Sequence, residues 1–302
     1  HPNHSRTIMK SLLLALAFVL PLPQPSWSPA ERATEDAGKS TLTLSFGVYQ
    51  SDKATVMYKK LTPVLEYLQE DLEKRVGRPV DIHLSIFKSY DEGIAALVNG
   101  DIDFVRFGPA SYITAKAREP KLELIAMEQE GGQKRFKGVV IVRTDSSIQK
   151  LEDLKGRRFA FGDPNSTIGR YLVQAELVKA GIHAADLSGA KYLDRHDKVA
   201  AAVEVGDFDA GAVMMSSYEQ ANSKGTLRVI ASFDNVTKPW VARAGLDPAV
   251  RAALLESLKS VHDAAVLKEL KVSGFTSTSD EEYAFVREGM KIADGFDKRP
   301  GS

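Results

Sequence analysis

Cysteine is missing from all 302 positions of the chain. That absence excludes disulfide cross-links, thiolate metal centres and a cysteine nucleophile. Net charge is missing as well, with 40 Lys and Arg against 40 Asp and Glu. A phosphate-rich polymer is therefore a poor partner, and no nucleic acid is expected. Metal-ligand spacings are lacking: His183, His196 and Asp197 fall into no His-x-x-x-His or comparable pattern. Neither a metal nor a cofactor is expected. No short-period repeat is found, which argues against a solenoid. Beyond the N-terminal region no apolar run approaches the roughly 20 residues that a membrane helix needs.

What is present points to an exported α/β protein. Hydrophobic residues make up 43% and charged residues 26% of the chain, enough for two modest cores or one large one. Met9 and Lys10 lead into the apolar run Leu12 to Leu20, then a Pro-rich stretch and Ser28-Pro29-Ala30. This reads as a secretory signal peptide over 1–30, with small residues placed for cleavage before Glu31 and with His1 to Ile8 upstream of the start. The apolar core is too short to span a bilayer, and no cysteine is available to carry a lipid anchor. Cleavage removes Arg6 and Lys10 and no acid, so the mature chain is slightly acidic. The expected location is the periplasm, after a flexible lead over 31–40.

From Thr41 onward the hydrophobic period switches repeatedly. Strand-like alternation at 41–49, 80–87, 104–107, 122–127 and 138–143 is interleaved with helical spacing at 58–76, 91–99 and 109–117. The pattern repeats with strands at 158–161, 190–193, 210–214 and 227–233 and helices at 168–180, 196–205 and 217–223. Beyond Asp247-Pro248 the spacing predicts helix to the end. Two α/β units, each with a parallel-type sheet covered on both faces, predict a bilobal fold with the ligand at the carboxyl ends of the strands between the lobes. The expected division is 41–138 with 233–302 as domain one and 139–232 as domain two. The crossings fall near Phe136 to Val140 and near Ser232 to Asp234, and two crossings make a hinge.

Residues 161–171 carry the most chemistry. A strand enters Phe161-Gly162-Asp163-Pro164-Asn165-Ser166-Thr167 and a helix leaves it, which aims a helix N-terminus and two hydroxyls, Ser166 and Thr167, at one point. Such a terminus carries free N–H groups and partial positive charge, and an oxyanion fits it. The same residue types also make an ordinary N-cap, and the local pattern does not separate the two.

Several motifs in order extend the argument: Gly-Asp-Pro-Asn-Ser-Thr at 162–167, Phe-Gly-Pro-Ala-Ser-Tyr at 107–112, Leu-Thr-Pro-Val-Leu-Glu-Tyr-Leu at 61–68 and His-Asp-Lys-Val at 196–199. Together they resemble the phosphonate/phosphite substrate-binding proteins of ABC transporters, over roughly 40–270. The resemblance implies a type II periplasmic-binding-protein fold, two α/β domains on a two-segment hinge, closing on a small tetrahedral oxyanion for a membrane permease. It places Ser166 and Thr167, with Asn165 beside them, on the anion oxygens. It also brings in His196 through an N–H or imidazolium, and Tyr90 through its hydroxyl. Without the resemblance, His196 reads as an exposed histidine at a helix start and Tyr90 as a packed tyrosine.

Two departures are informative. Phe107 stands where aminoalkylphosphonate-binding members have a tyrosine, so one donor is lost, with Ser111, Tyr112 and the N–H groups after Pro109 as replacements. Where those members place carboxylates for the ligand's ammonium, the register gives Ser216 or Ser217 and Lys238-Pro239-Trp240. A buried, unpaired ammonium is costly, so a compact inorganic or short-alkyl oxyanion, phosphite or phosphonate-like, is expected. Trp240 is a candidate wall of the pocket.

Two rivals complete the reading. Ser166, His196 and Asp163 or Asp197 supply the residue types of a hydrolase triad, but Gly-x-Ser-x-Gly is absent, since Pro164 lies two before Ser166 and the glycine comes three after. No catalytic residue is assigned, and no enzyme is expected. The other rival keeps the fold and changes the output: an oxyanion sensor, for an arsenic or phosphorus oxyanion, that signals to a membrane histidine kinase. A monomer serves either role.

Overall fold

The computed structural model describes residues 40–298. The signal peptide expected over 1–30, and the lead except for Ser40, lie outside them. Among the described residues no helix is long and apolar enough to cross a membrane.

The chain builds two mixed sheets. The first has the order β11-β4-β10-β3-β1-β2, from β1 (Leu42–Tyr49), β2 (Val80–Phe87), β3 (Phe104–Arg106), β4 (Glu123–Gln129), β10 (Pro239–Ala242) and β11 (Gly274–Thr276). β1 runs parallel to β2 and β3, whereas β10 is antiparallel to both β3 and β4. The second has the order β7-β6-β8-β5-β9, from β5 (Arg135–Arg143), β6 (Arg158–Phe161), β7 (Gly189–Tyr192), β8 (Ala210–Met214) and β9 (Leu227–Val236). Here β6 is parallel to β7 and β8, and β5 is antiparallel to β8 and β9. The sheets are thus mixed where a parallel type is expected. The reason is topological: β5 and β10 each follow a passage from the other sheet and enter their new sheet from the opposite end.

Those passages lie at 130–134 and 237–238, a few residues away from where the hydrophobic pattern places them. Long apolar runs hide such points, because the strand pattern continues up to the turn.

Helices cover both faces of both sheets. α1 (Ala54–Val76), α7 (Pro248–Lys259) and α8 (Ala264–Leu270) bury one face of the first sheet, through Leu61, Leu68, Leu72, Leu254 and Leu258 against Phe46, Phe104 and Trp240. α2 (Tyr90–Asn99) and α3 (Pro109–Arg118) bury the other, through Ile94, Leu97 and Ala115 against Val105 and Phe107. On the second sheet, α4 (Val173–Lys179) packs on one side, and α5 (His196–Glu204) and α6 (Met215–Ala221) on the other. Each fully buried Leu or Phe contributes about 1.5–3 kcal/mol. Helix is not continuous after Asp247, because Gly274–Thr276 adds β11 to the first sheet through Gln129, Glu128 and Met127. The last helix, α9 (Ala284–Ala293), packs on α3 of the first lobe and on α4 of the second.

The helix expected from Ile168 begins as a π-helical turn, Thr167–Leu172, before α4. Both the Arg170 and Tyr171 N–H groups donate to the Ser166 carbonyl, at 3.1 and 3.2 Å. Gly162 N–H donates to Gly169 O at 2.8 Å, so the strand end lies against the turn. A Cβ on Gly169 would come 2.7 Å from Gly162 Cα, which is why glycine stands at both places.

Candidate anion-binding site

Between the two sheets lies a cavity lined by the carboxyl ends of strands and the starts of helices. Val48 and Tyr49 end β1, Arg106 ends β3, and Met214 ends β8, while Tyr90, Pro109, Thr167 and His196 each open a helix. Four helix N-termini border one space and give it a positive field. The cavity has about 30 Å³ of room for the centre of a water-sized molecule. One water needs about 10–15 Å³ on that measure, so the space suits a small polyatomic anion.

Hydrogen bonds across the cleft hold the lobes together. Thr167 Oγ1 accepts the Ala110 N–H at 2.9 Å, and the His196 N–H donates to the Ser51 carbonyl at 3.1 Å. Burial holds the Tyr90 phenol well above its usual range. Ser166 accepts the Gly169 N–H at 2.9 Å, as the N-cap of the π-helical turn. α3 has no capping side chain of its own at Gly108. Its first N–H groups are served from outside, Gly108 by the Tyr49 hydroxyl at 2.6 Å and Ala110 by Thr167. Tyr49 Oη also shares a hydrogen bond with Ser111 Oγ at 2.9 Å, and burial pushes its phenol up to about 12.

Two cations face the cavity. Arg106 is 6% exposed and forks onto Glu128, Nε to Oε1 and Nη2 to Oε2, the latter at 2.9 Å. The Trp240 indole donates to the same Glu128 Oε1 at 3.0 Å. Burial alone would raise the Glu128 carboxyl, but the Arg106 charge and hydrogen bonds outweigh it and hold the group below its ordinary value. Lys238, half-buried in the second passage, lies 3.6 Å from Met214 Sδ and 4.4 Å from the centre of the Phe136 ring. Burial, reinforced by the Arg106 charge, pulls its ammonium down to about 8. The apolar part of the lining is Val48, Met57, Phe136, Ile168 and Met214.

The structure brings Ser166, Thr167, His196, Tyr90 and Phe107 together around this cavity. Ser111, Tyr112 and Asn165 do not line it. Ser111 stands behind Tyr49, the Tyr112 hydroxyl donates to Asp280 at 2.7 Å, and the Asn165 N–H is turned back onto Asp163 Oδ1 at 2.7 Å. His196 is buried, and burial together with the Lys238 charge draws its imidazole down to about 4. It is therefore a neutral ring at pH 7 rather than an imidazolium, and its Nδ1 has no partner. Asn235, which lines the same cavity, is buried with Oδ1 equally unpartnered. Ser217 lines separate grooves outside the cavity. Trp240 is no wall of the pocket: it is wholly buried, stacked on Phe46 at 4.8 Å. A triad is not assembled, because Asp197 is forked by Arg195 at 2.9 and 3.0 Å and no carboxylate reaches His196 Nδ1. Sequence reasoning missed Tyr49, Arg106, Glu128 and Asn235. A charged pair 22 residues apart within two apolar strands was the available signal for Arg106 and Glu128.

Residues 46–283 match the family of ABC transporter, phosphonate, periplasmic substrate-binding proteins. The chain belongs to this family. A probable ABC transporter phosphite-binding protein, PhnD1, of Prochlorococcus marinus is 30% identical over 62% of the chain and 68% of its own length. A phosphate-import protein, PhnD, of Mycolicibacterium smegmatis is 28% identical over 56% of the chain and 54% of its own length. In three dimensions the chain resembles Prochlorococcus PhnD1 in complex with methylphosphonate, with a TM-score of 0.71, 23% identity, and 83% and 98% of the two chains covered. The fold of this binding protein is accordingly that of the type II periplasmic binding proteins, and its relatives are substrate-binding components of transport systems rather than enzymes.

Proposed function

We propose that the protein captures a small tetrahedral phosphorus oxyanion with one non-oxygen substituent, phosphite or a short alkylphosphonate, and presents it in the periplasm to an ABC permease. The observation that carries this reading is the two-sided lining of the cavity. Helix N-termini, the Ser166 and Thr167 hydroxyls, Arg106 and Lys238 suit charged oxygens, whereas Met57, Phe136, Ile168 and Met214 form an apolar wall. A fourth oxygen against that wall would lose its hydrogen bonds to water without replacement. The ligand would bridge the lobes, and the passages at 130–134 and 237–238 would act as the hinge on which they close.

Titration calorimetry with methylphosphonate, phosphite, phosphate, sulfate and 2-aminoethylphosphonate tests the proposal. Tightest binding is expected for methylphosphonate or phosphite. Failure of every phosphorus oxyanion to bind overturns the reading.

A further inference from the structure

We infer that Lys238 is the counter-ion of the bound anion and that its charge sets which phosphorus oxyanions the site accepts. The inference rests on the reading above and adds the residue that gives the site its charge selectivity. Lys238 enters the cavity from the passage between β9 and β10, so it sits where the two lobes join. Its nearest partners are a thioether and an aromatic face, Met214 and Phe136. Both tolerate an ammonium, and neither neutralises it.

The surrounding charges do not complete the pairing. Arg106 at the end of β3 repels Lys238, and Glu128 on β4 is already taken by Arg106 and Trp240. Glu130, beyond β4, and Asp52, ahead of α1, act on Lys238 through space without forming an ion pair. Burial pulls the Lys60 ammonium on α1 down to about 7, and His196 on α5 is neutral. Of the residues that line the cavity, Arg106 and Lys238 carry charge, Arg106 is already paired with Glu128, and an anion in the cavity would give Lys238 a direct partner. The neighbouring unpartnered polar atoms, His196 Nδ1 and Asn235 Oδ1, are independent signs that this space is built to be filled.

Two consequences follow. An anion beside Lys238 favours its charged form, so binding takes up a proton at pH values where the empty site has begun to lose it. An amino-bearing phosphonate places a second ammonium next to Lys238 and Arg106, and like-charge contact opposes it.

The test is calorimetry of the protein at pH 8.5 with methylphosphonate, in two buffers of different ionisation enthalpy, on wild type, Lys238→Met and Lys238→Arg. Wild type is expected to take up protons on binding. Lys238→Met is expected to lose about tenfold to a hundredfold in affinity, the worth of one charge-assisted hydrogen bond, and part of its proton uptake as well. Lys238→Arg, which keeps the charge but does not titrate in this range, is expected to bind with less proton uptake than wild type, the remainder being the phosphonate's own. In Lys238→Met the preference for methylphosphonate over 2-aminoethylphosphonate is expected to narrow. Wild-type binding with an unchanged Lys238→Met affinity, or proton uptake in Lys238→Arg as large as in wild type, overturns this inference alone. No binding by wild type to methylphosphonate or phosphite overturns the functional reading and this inference with it.

Discussion

Thr167 Oγ1, on the second lobe, accepts the N–H of Ala110, on the first, at 2.9 Å. A hydroxyl that would grip the ligand thus also caps the helix of the opposing lobe. Ligand capture and lobe closure share an atom, so they should fail together.

Thr167→Val keeps the shape of the side chain and removes the acceptor. The Ala110 N–H is left without a partner, at a cost of about 1–3 kcal/mol to the closed form. Small-angle scattering should show a larger average radius than wild type without ligand. The double variant Ser166→Ala with Thr167→Val should bind methylphosphonate at least about a hundredfold more weakly, two lost hydrogen bonds on the charge-assisted scale. Wild-type affinity in the double variant would place the site elsewhere.

Gly169→Ala should destabilise the second lobe. The added methyl would meet Gly162 Cα at 2.7 Å and Ser166 Oγ at 3.0 Å, and such overpacking costs about 1–3 kcal/mol. Urea denaturation of the two proteins measures the difference.

Glu128→Gln removes the carboxylate that holds the Arg106 guanidinium, leaving a buried cation unpaired. Breaking one partner of a buried pair costs about 3–5 kcal/mol, read as a lower denaturation midpoint. Trp240→Phe removes the indole hydrogen bond to Glu128 and part of a buried ring, and should cost less than the broken ion pair. Equal losses in the two variants would show that packing around Trp240, not the ion pair, is what matters.

His196 supplies a pH dependence with a definite sign. Its imidazole lies at about 4 in the folded chain against an ordinary value of 6.5, so the unfolded state binds the proton more readily. Its contribution is full above pH 6.5 and is lost as pH falls through 6.5 towards 4, up to about 3 kcal/mol. Chemical denaturation of wild type and His196→Gln at pH 7.5, 5.5 and 4.5 isolates the term as the change in their difference. A difference that stays constant over this range would mean that the ring is equally titratable in both states.

Most of the fold was legible in the sequence because it is written in short-range periodicity. The run at 41–49 forms β1 as its pattern predicts, and Ser166 caps the turn that it precedes. The same local signals marked Ser166, Thr167 and His196 as helix starts. What sequence could not decide was which residues from distant segments meet. Arg106 and Glu128 look alike to any local rule as charges within apolar strands, and only β10, inserted between β3 and β4, makes them partners beside Trp240. Tyr112 and Tyr49 are both tyrosines beside the same helix start, yet one faces Asp280 and the other caps Gly108. Lys238 was read mainly as the absence of an acid, and its place against Phe136 and Met214 turns it into a cation facing the cavity. The chain by itself determined its α/β alternation, its lack of thiol chemistry and its helix-start hydroxyls, since these depend on neighbours in sequence. Tertiary structure alone decided the cavity's charge and its apolar wall, because those arise where β1, β3, β8 and the β9–β10 passage converge, and through-space electrostatics and packing leave no periodic trace along a chain.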